Sequence, residues 1–176
     1  EIADICKKTE IEIPFIRPAE LAQDNSLAID TYLYTMERLI NEFEYKKDEF
    51  IVLQPTSPFR NSSDIESAIE IFYENNADSV ISCRKLDHPI SWLYSINKSG
   101  LMQKKGENDL NNRQNADIAF IPNGGIYIFR YSLLKTLNKY CTENTYAYVM
   151  PKERSVDIDT EDDFKFAEYL YNKYKK

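Results

Sequence analysis

The chain has 176 residues, 43% of them hydrophobic, which is enough for one globular domain with a core. Its net charge of -7 argues against nucleic acid or an anionic membrane as the partner, since both need a basic surface. No apolar run approaches the roughly 18 residues of a membrane span, and there is no signal-peptide pattern, so we expect a cytoplasmic protein. The widely spaced Cys6, Cys83 and Cys141 favour free thiols over a zinc site or a disulfide framework.

Strand and helix patterns alternate along the chain. In the first half of the chain the predicted elements are a helix at residues 2–8, an extended apolar segment at 11–16, a helix at 27–43, a strand at 50–53, and a helix that begins with a capping box at 63–66. They are followed by strands at 79–83, 92–96 and 125–129, a helix at 132–140, strands at 147–150 and 155–159, and a last helix capped by Thr160. Residues 106–117 are polar enough to form a loop or arm. The repeated units predict a three-layer α/β domain with a mostly parallel sheet.

The segment at residues 155–163 predicts a short strand that ends in two carboxylates and continues into a helix. Residues two apart on a strand point to the same face, so Asp157 and Asp159 would converge where a hard divalent cation could bind. The alternative is helix capping beside a solvated acidic turn. Spacing alone does not decide between the two.

Seven segments stand in the order and spacing of one known family. They are RPAELAQD at residues 17–24, LQPTSPFR at 53–60, ADSV at 77–80, HP at 88–89, RQ at 113–114, PNGGIY at 122–127 and DIDT at 157–160. On these segments the chain resembles the acylneuraminate cytidylyltransferases, the CMP-sialic acid synthetases, over nearly its whole length. The resemblance implies a Rossmann-like nucleotidyltransferase fold and transfer of CMP from CTP to a nonulosonic (sialic-type) acid, with Mg²⁺ and release of pyrophosphate, for surface polysaccharide or glycan synthesis.

The resemblance also implies roles for individual residues. Asp157 and Asp159 match the catalytic magnesium ligands near the CTP phosphates. The positions that match substrate contacts are Gln54, Arg113, Asn123, Gly124 and Tyr127. An amide can both donate to and accept from sugar hydroxyls, and a guanidinium can bind a carboxylate through two hydrogen bonds.

Each of these positions also has a purely structural interpretation. Arg113 could be an exposed arginine, the PNGG segment a turn, and Tyr127 a packed aromatic residue with a wet hydroxyl. Gln54 could bond its own backbone. Arg60, which follows Gln54 in the same segment, is interpreted as a member of a surface ion pair and is left out of the predicted site.

Two positions depart from some relatives in ways that concern the sugar. Ser91 stands where those relatives have a lysine after the His-Pro pair, and Ile121 stands where they have a basic residue before Pro-Asn-Gly. The sugar acid could therefore be N-acetylneuraminate, legionaminate or a related bacterial nonulosonate.

The family's phosphate-binding loop has no counterpart among these residues, which include only four glycines. We therefore expect an N-terminal strand, loop and helix, on the order of 30 residues, to be missing from this chain. The chain as it stands is then expected not to hold CTP and to be inactive alone.

Residues 86–120 resemble the family's dimerisation arm, which reaches into the neighbouring subunit. Trp92, Leu93 and Tyr94 would anchor it, because aromatic residues concentrate in interface cores, and we expect a homodimer. Two other functions stay open at this point: a cytidylyltransferase for 3-deoxy-octulosonate, and a non-catalytic sugar-acid binding or dimerisation module.

Overall fold

The computed structural model describes residues 2–105 and 118–174. In chain order its helices and strands are α1 (Ile2–Cys6), α2 (Ala28–Glu42), β1 (Glu49–Val52), α3 (Ser62–Glu74), β2 (Ser79–Lys85), β3 (Tyr94–Ile96), β4 (Met102–Lys104), β5 (Phe120–Arg130), α4 (Tyr131–Leu137), β6 (Thr145–Val149) and α5 (Glu161–Tyr174). The chain divides into two compact units, one formed by residues 1–50 and 130–140 and the other by residues 51–129 and 141–176. No described helix is long and apolar enough to cross a membrane.

The first unit is helical. The carboxylate of Asp48 caps α4 by accepting hydrogen bonds from the backbone N–H and the hydroxyl of Ser132, at 2.8 and 2.7 Å. The segment at residues 11–16, predicted to be extended, forms neither a helix nor a strand. The side chain of Phe15 holds this segment in place. The Phe15 ring packs against Phe43, and the Arg38 guanidinium lies over the ring, 4.3 Å from the ring centroid.

The second unit contains most of the sheet, whose strand order is β1-β5-β2-β6. Strands β2 and β6 are parallel, as alternation of strands and helices predicts. Strand β5 runs antiparallel to β2, with a register shift between Ile81 and Cys83. The sheet is therefore mixed. The prediction of a mostly parallel sheet is wrong for β5, which is antiparallel to β2. Strands β3 and β4 form a separate two-stranded hairpin.

Helix α3 covers one face of this sheet and supplies its main core. The buried residues of that core are Ala68, Phe72, Ala77, Val80, Ile126 and Ile128. The capping box lies two residues earlier than the predicted one at residues 63–66. Asn61 is the N-cap, and its side chain accepts from the N–H of Asp64 while the Asp64 carboxylate accepts from the N–H of Asn61, both at 3.0 Å.

The predicted strand at residues 155–159 is absent, and this stretch is irregular backbone after a short 3-10 turn. Its position is set instead by a hydrogen bond of 2.9 Å from the N–H of Ile158 to the carbonyl of Thr56. The predicted cap of α5 is confirmed: Asp163 N–H donates to the Thr160 hydroxyl at 3.2 Å, and Thr160 N–H donates to the Asp163 carboxylate at 2.8 Å.

Candidate active site

The candidate site lies at the edge of the sheet where the parallel strands β2 and β6 end. Because β5 is antiparallel to β2, it begins at this same edge, and residues 120–122 pair with the end of β2. Open α/β sheets generally bind ligands at the carboxyl ends of their parallel strands. The loop that follows β1 and the acidic segment at residues 157–159 meet through the Thr56–Ile158 hydrogen bond.

Gly124 brings three of the predicted site residues together. Its φ is +73°, and a Cβ added there would lie 2.6 Å from Gln54 Oε1, 2.6 Å from Ser57 Oγ and 3.6 Å from Asp157 Oδ2. A side chain at this position would therefore fill the space that these three groups share. Gln54, Gly124 and Asp157 therefore lie in one cluster.

Arg60 fixes the shape of the loop that carries Gln54. Its Nη1 donates to the carbonyls of Gln54 and Ser57, at 2.8 and 2.6 Å. Burial lowers the pKa of the Arg60 guanidinium. The surface ion pair predicted for Arg60 is therefore replaced by bonds to loop carbonyls, and Arg60 positions Gln54 through the backbone.

Asn123 is buried, and its side chain is the centre of a hydrogen-bond network. Its Oδ1 accepts from the Ser82 hydroxyl at 2.6 Å and from the N–H of Gly125 at 3.1 Å. Its Nδ2 donates to the Ser155 hydroxyl at 2.9 Å and to Met150 Sδ at 3.2 Å. Since the amide is occupied inside the protein, we interpret Asn123 as the residue that positions Gly124 rather than as a direct contact to substrate.

Asp157 and Asp159 both have exposed side chains. Among the described residues, no group of three or more His, Cys, Asp or Glu side chains is arranged to hold a metal ion. Mg²⁺ usually keeps several waters and uses one or two carboxylates together with substrate phosphates, rather than a complete protein cage. The strand that was predicted to place both side chains on one face is absent, so that reason for their convergence does not hold. Asp157 lines the cavity described below, and an exposed carboxylate there fits Mg²⁺ delivered with a nucleotide.

Tyr127, another predicted site residue, is not part of this cluster. Tyr127 lies further into the sheet, opposite Ile81, and its half-buried ring stacks on Phe129 with centroids 6.0 Å apart. Its contact with a sugar acid remains a prediction. Arg113 and the predicted loop at residues 106–117 lie outside the described residues.

A buried ion pair, which the sequence analysis did not predict, anchors the acidic segment at residues 157–159. Asp64 is fully buried, and it accepts from Arg154 Nε and Nη2 at 3.0 and 2.7 Å and from the Tyr148 hydroxyl at 2.8 Å. Burial alone would raise the pKa of Asp64, but the hydrogen bonds from Arg154, Asn61 and Tyr148 outweigh it and lower the pKa. Arg154 lies only three residues before Asp157, so the pair anchors the segment that carries the carboxylates.

An open cavity of about 500 Å³ adjoins the cluster on the side of α5. Its walls include two residues of the cluster and its network, Asn123 and Asp157, and two cations, Arg84 and Lys152. Ile121, Phe166 and Leu170 supply an apolar wall. The cavity has the mixture of apolar surface and few polar groups that is typical of small-molecule sites.

Gly124→Ala is expected to damage both stability and ligand binding. A positive φ disfavours alanine by about 1 kcal/mol, and the Cβ would also press on the buried Ser57 hydroxyl, which donates to the Asn123 carbonyl at 2.8 Å. Gly100→Ala is the matched control, because Gly100 has φ of +84° with nothing within 4 Å of its added Cβ. Urea unfolding should show a loss about 1–3 kcal/mol larger for Gly124→Ala than for Gly100→Ala. Equal losses would mean that the close approach at Gly124 is unimportant.

The fold of this chain is also found among solved structures. No family model matches the chain. A structure of CMP:2-keto-3-deoxy-manno-octonic acid synthetase complexed with CTP superposes with a TM-score of 0.54 at 14% identity, covering 85% of this chain and 70% of that chain. The two chains therefore share a fold.

Sequence comparison then gives the family. The N-acylneuraminate cytidylyltransferase of Streptococcus agalactiae serotype III is 31% identical over 162 residues, which are 92% of this chain but only 38% of that protein. The CMP-N,N'-diacetyllegionaminic acid synthase of Legionella pneumophila is 30% identical over 172 residues, 97% of this chain and 73% of that protein. The chain belongs to the acylneuraminate cytidylyltransferase family, which confirms the resemblance seen in its seven segments.

Proposed function

We propose that the protein is a cytidylyltransferase that transfers CMP from CTP to a nonulosonic acid and releases pyrophosphate. The observation that carries this proposal is the meeting of Gln54, Gly124 and Asp157 at one edge of the sheet, in a chain of this family. The chain spans well under half of the streptococcal relatives and about three quarters of the legionaminic acid synthase. The proposal includes a cytoplasmic location, where CTP is available.

In this reaction the anomeric hydroxyl of the sugar acid attacks the α-phosphorus of CTP. A new P–O bond forms to the sugar, the bond to pyrophosphate breaks, and the hydroxyl loses its proton. We propose that the Gln54 amide, held by Arg60, orients the sugar through its hydroxyls. Asp157 and Asp159 would hold Mg²⁺, which neutralises charge on the phosphates when it is bound.

The sugar acid in this proposal is of the sialic or legionaminic type. Both kinds of enzyme are found among the relatives at about 30% identity, whereas the pseudaminic acid cytidylyltransferase of Campylobacter jejuni is 23% identical over 172 residues. A 3-deoxy-octulosonate substrate is the second candidate, supported by the fold similarity to the corresponding synthetase.

The experiment that tests this function is pyrophosphate release by the protein expressed from its natural start. It is assayed with CTP, Mg²⁺ and, separately, N-acetylneuraminate, N,N'-diacetyllegionaminate, pseudaminate and 3-deoxy-octulosonate, with the 176-residue chain alongside. We expect release with one of the first two acids. Sugar-acid binding without release from either protein would instead support the non-catalytic module.

We also propose that the protein is a homodimer joined through residues 86–120. The β3–β4 hairpin supports this, because Tyr94, Ile96 and Met102 are 50, 69 and 57% exposed, and Ile96 pairs directly with Met102. Adjacent apolar side chains exposed on so small a hairpin are typical of an interface.

A double variant of the hairpin is expected to convert the dimer to a monomer. In Tyr94→Ala/Ile96→Ala the loss of two apolar anchors should raise the dimer dissociation constant by at least about 100-fold. Analytical ultracentrifugation over a range of concentrations measures this. Tyr73→Ala, which removes an exposed aromatic from α3, is the control and should leave the dimer intact. A wild-type protein that sediments as a monomer would contradict the proposal.

A further inference from the structure

The cavity beside α5 contains a cation that the predicted site does not include. Arg84 is near the end of β2 and lies directly opposite Ile121 of β5 in the antiparallel register. Residues paired in this way point to the same face of a sheet, with Cβ atoms about 4.5–5.5 Å apart. Both residues line the cavity, and Asp157 lines it as well. The guanidinium therefore shares one cavity with a carboxylate of the candidate active site.

The charged side chains around this cavity differ in how fully they are already paired with other groups of the protein. Lys152 Nζ donates to both carboxylate oxygens of Asp87, each at 2.8 Å, so its charge is largely matched. The Asp163 carboxylate caps α5 through Thr160. Arg84 Nη1 makes a long bond of 3.5 Å to the carbonyl of Lys85. Glu153 adds a third carboxylate to the wall, and the pKa of Asp87 is lowered by its hydrogen bond from Lys152 and also by the nearby charge of Arg84. Among the described residues Arg84 has no ion-pair contact within 4 Å, so it is the cation with more donors left for a ligand in the cavity.

The surroundings of Arg84 suit a carboxylate. Its side chain is half-buried, and Ile121, Phe166 and Leu170 form the apolar part of the wall. An apolar wall strengthens a charged hydrogen bond by excluding water, and the planar guanidinium matches the two oxygens of a carboxylate. Lysine at this position would keep the charge but lose the two-pronged geometry.

We propose that Arg84 binds the carboxylate of the sugar acid and holds it against the Asp157 side of the site. This inference rests on the proposed function, because it takes a nonulosonic acid as the substrate. Arg84 would then be a substrate-binding residue on β2, a strand that supplies none of the predicted site residues. A phosphate group of CTP would offer similar chemistry, so the test separates the two substrates.

The test uses the protein expressed from its natural start, with KM measured separately for sugar acid and for CTP. Arg84→Ala is expected to raise the KM for the sugar acid by about 30-fold and to change the KM for CTP by less than about 3-fold. Arg84→Lys should fall between wild type and Arg84→Ala. Lys85→Ala is the matched control, since the neighbouring side chain points to the opposite face of β2, and its KM values should match those of wild type.

A charge-relocation variant distinguishes ligand binding from a structural role. In Arg84→Ile/Ile121→Arg the guanidinium moves to the facing strand of the same cavity, and we expect it to recover at least about a third of the lost sugar-acid affinity. An unchanged KM for the sugar acid in Arg84→Ala, a rise confined to CTP, or no recovery in the swapped variant would overturn the proposal.

Calorimetric titration of the sugar acid into wild type and Arg84→Ala repeats the comparison without turnover. If wild type releases no pyrophosphate with any acid, the proposed function fails, and weaker sugar-acid binding by Arg84→Ala would still support the role of Arg84. Equal binding by the two proteins would reject that role.

Discussion

Pyrophosphate release is expected to fall by about 100- to 1000-fold when either Asp157 or Asp159 is replaced by asparagine. Each substitution keeps the size of the side chain but removes the negative charge that would attract Mg²⁺ next to the phosphates. Because both side chains are exposed, the free energy of unfolding should change by less than about 0.5 kcal/mol. The rate is measured at saturating CTP and sugar acid over a range of Mg²⁺ concentrations.

Asp162→Asn is the matched control for these two variants. Asp162 lies in the same acidic stretch, its side chain is 93% exposed, and its nearest ion-pair partner is Lys165 at 3.3 Å. It should keep wild-type activity. If Asp162→Asn lowers the rate as much as Asp157→Asn, the acidic stretch acts through its overall charge, and a specific magnesium site at Asp157 and Asp159 is wrong.

Asp64→Ala is expected to lower the free energy of unfolding by about 3 kcal/mol. The substitution leaves Arg154 without its carboxylate and removes the acceptor for the Tyr148 hydroxyl and the N–H of Asn61. Urea denaturation at pH 7 measures the loss. Glu37→Ala is the control, because its pair with Lys135 is exposed on both sides and should contribute less than about 1 kcal/mol. Similar losses in the two variants would show that the buried pair contributes no more to the free energy of unfolding than an exposed pair does.

The same carboxylate makes stability depend on pH in a known direction. The pKa of Asp64 is lower in the folded protein than in the unfolded chain. Its contribution is therefore fully present above the unfolded pKa of about 3.9 and is lost as the pH falls through the lower folded pKa. Between pH 5 and pH 2 the stability of wild type should fall more steeply than that of Asp64→Asn. Parallel pH profiles would contradict this assignment.

Local sequence patterns predicted the elements whose cause is local. Helical spacing of apolar residues predicted α2, the short apolar run predicted β1, and Thr160 was correctly identified as the cap of α5. These features depend on neighbours within about four residues, so they can be read along the chain. The seven ordered segments were likewise sufficient to identify the family.

The prediction was wrong where backbone pairing depends on distant residues. The segment at residues 155–159 was predicted to be a strand but has no strand structure. It is instead held by Thr56, about a hundred residues earlier in the chain. Whether an extended segment becomes a strand depends on an available partner edge, and composition does not reveal that edge.

The candidate site shows the same division. Residue types and motif order pointed to Gln54, Gly124 and Asp157, and the structure brings them together. Only the tertiary structure could show that the Asn123 amide is used inside the protein, that Arg60 holds the Gln54 loop, and that Asp64 pairs with Arg154. It also placed Arg84 opposite Ile121. These contacts join residues up to 90 positions apart, and their partners are chosen by the packing of strands and by the need of buried polar groups for hydrogen bonds.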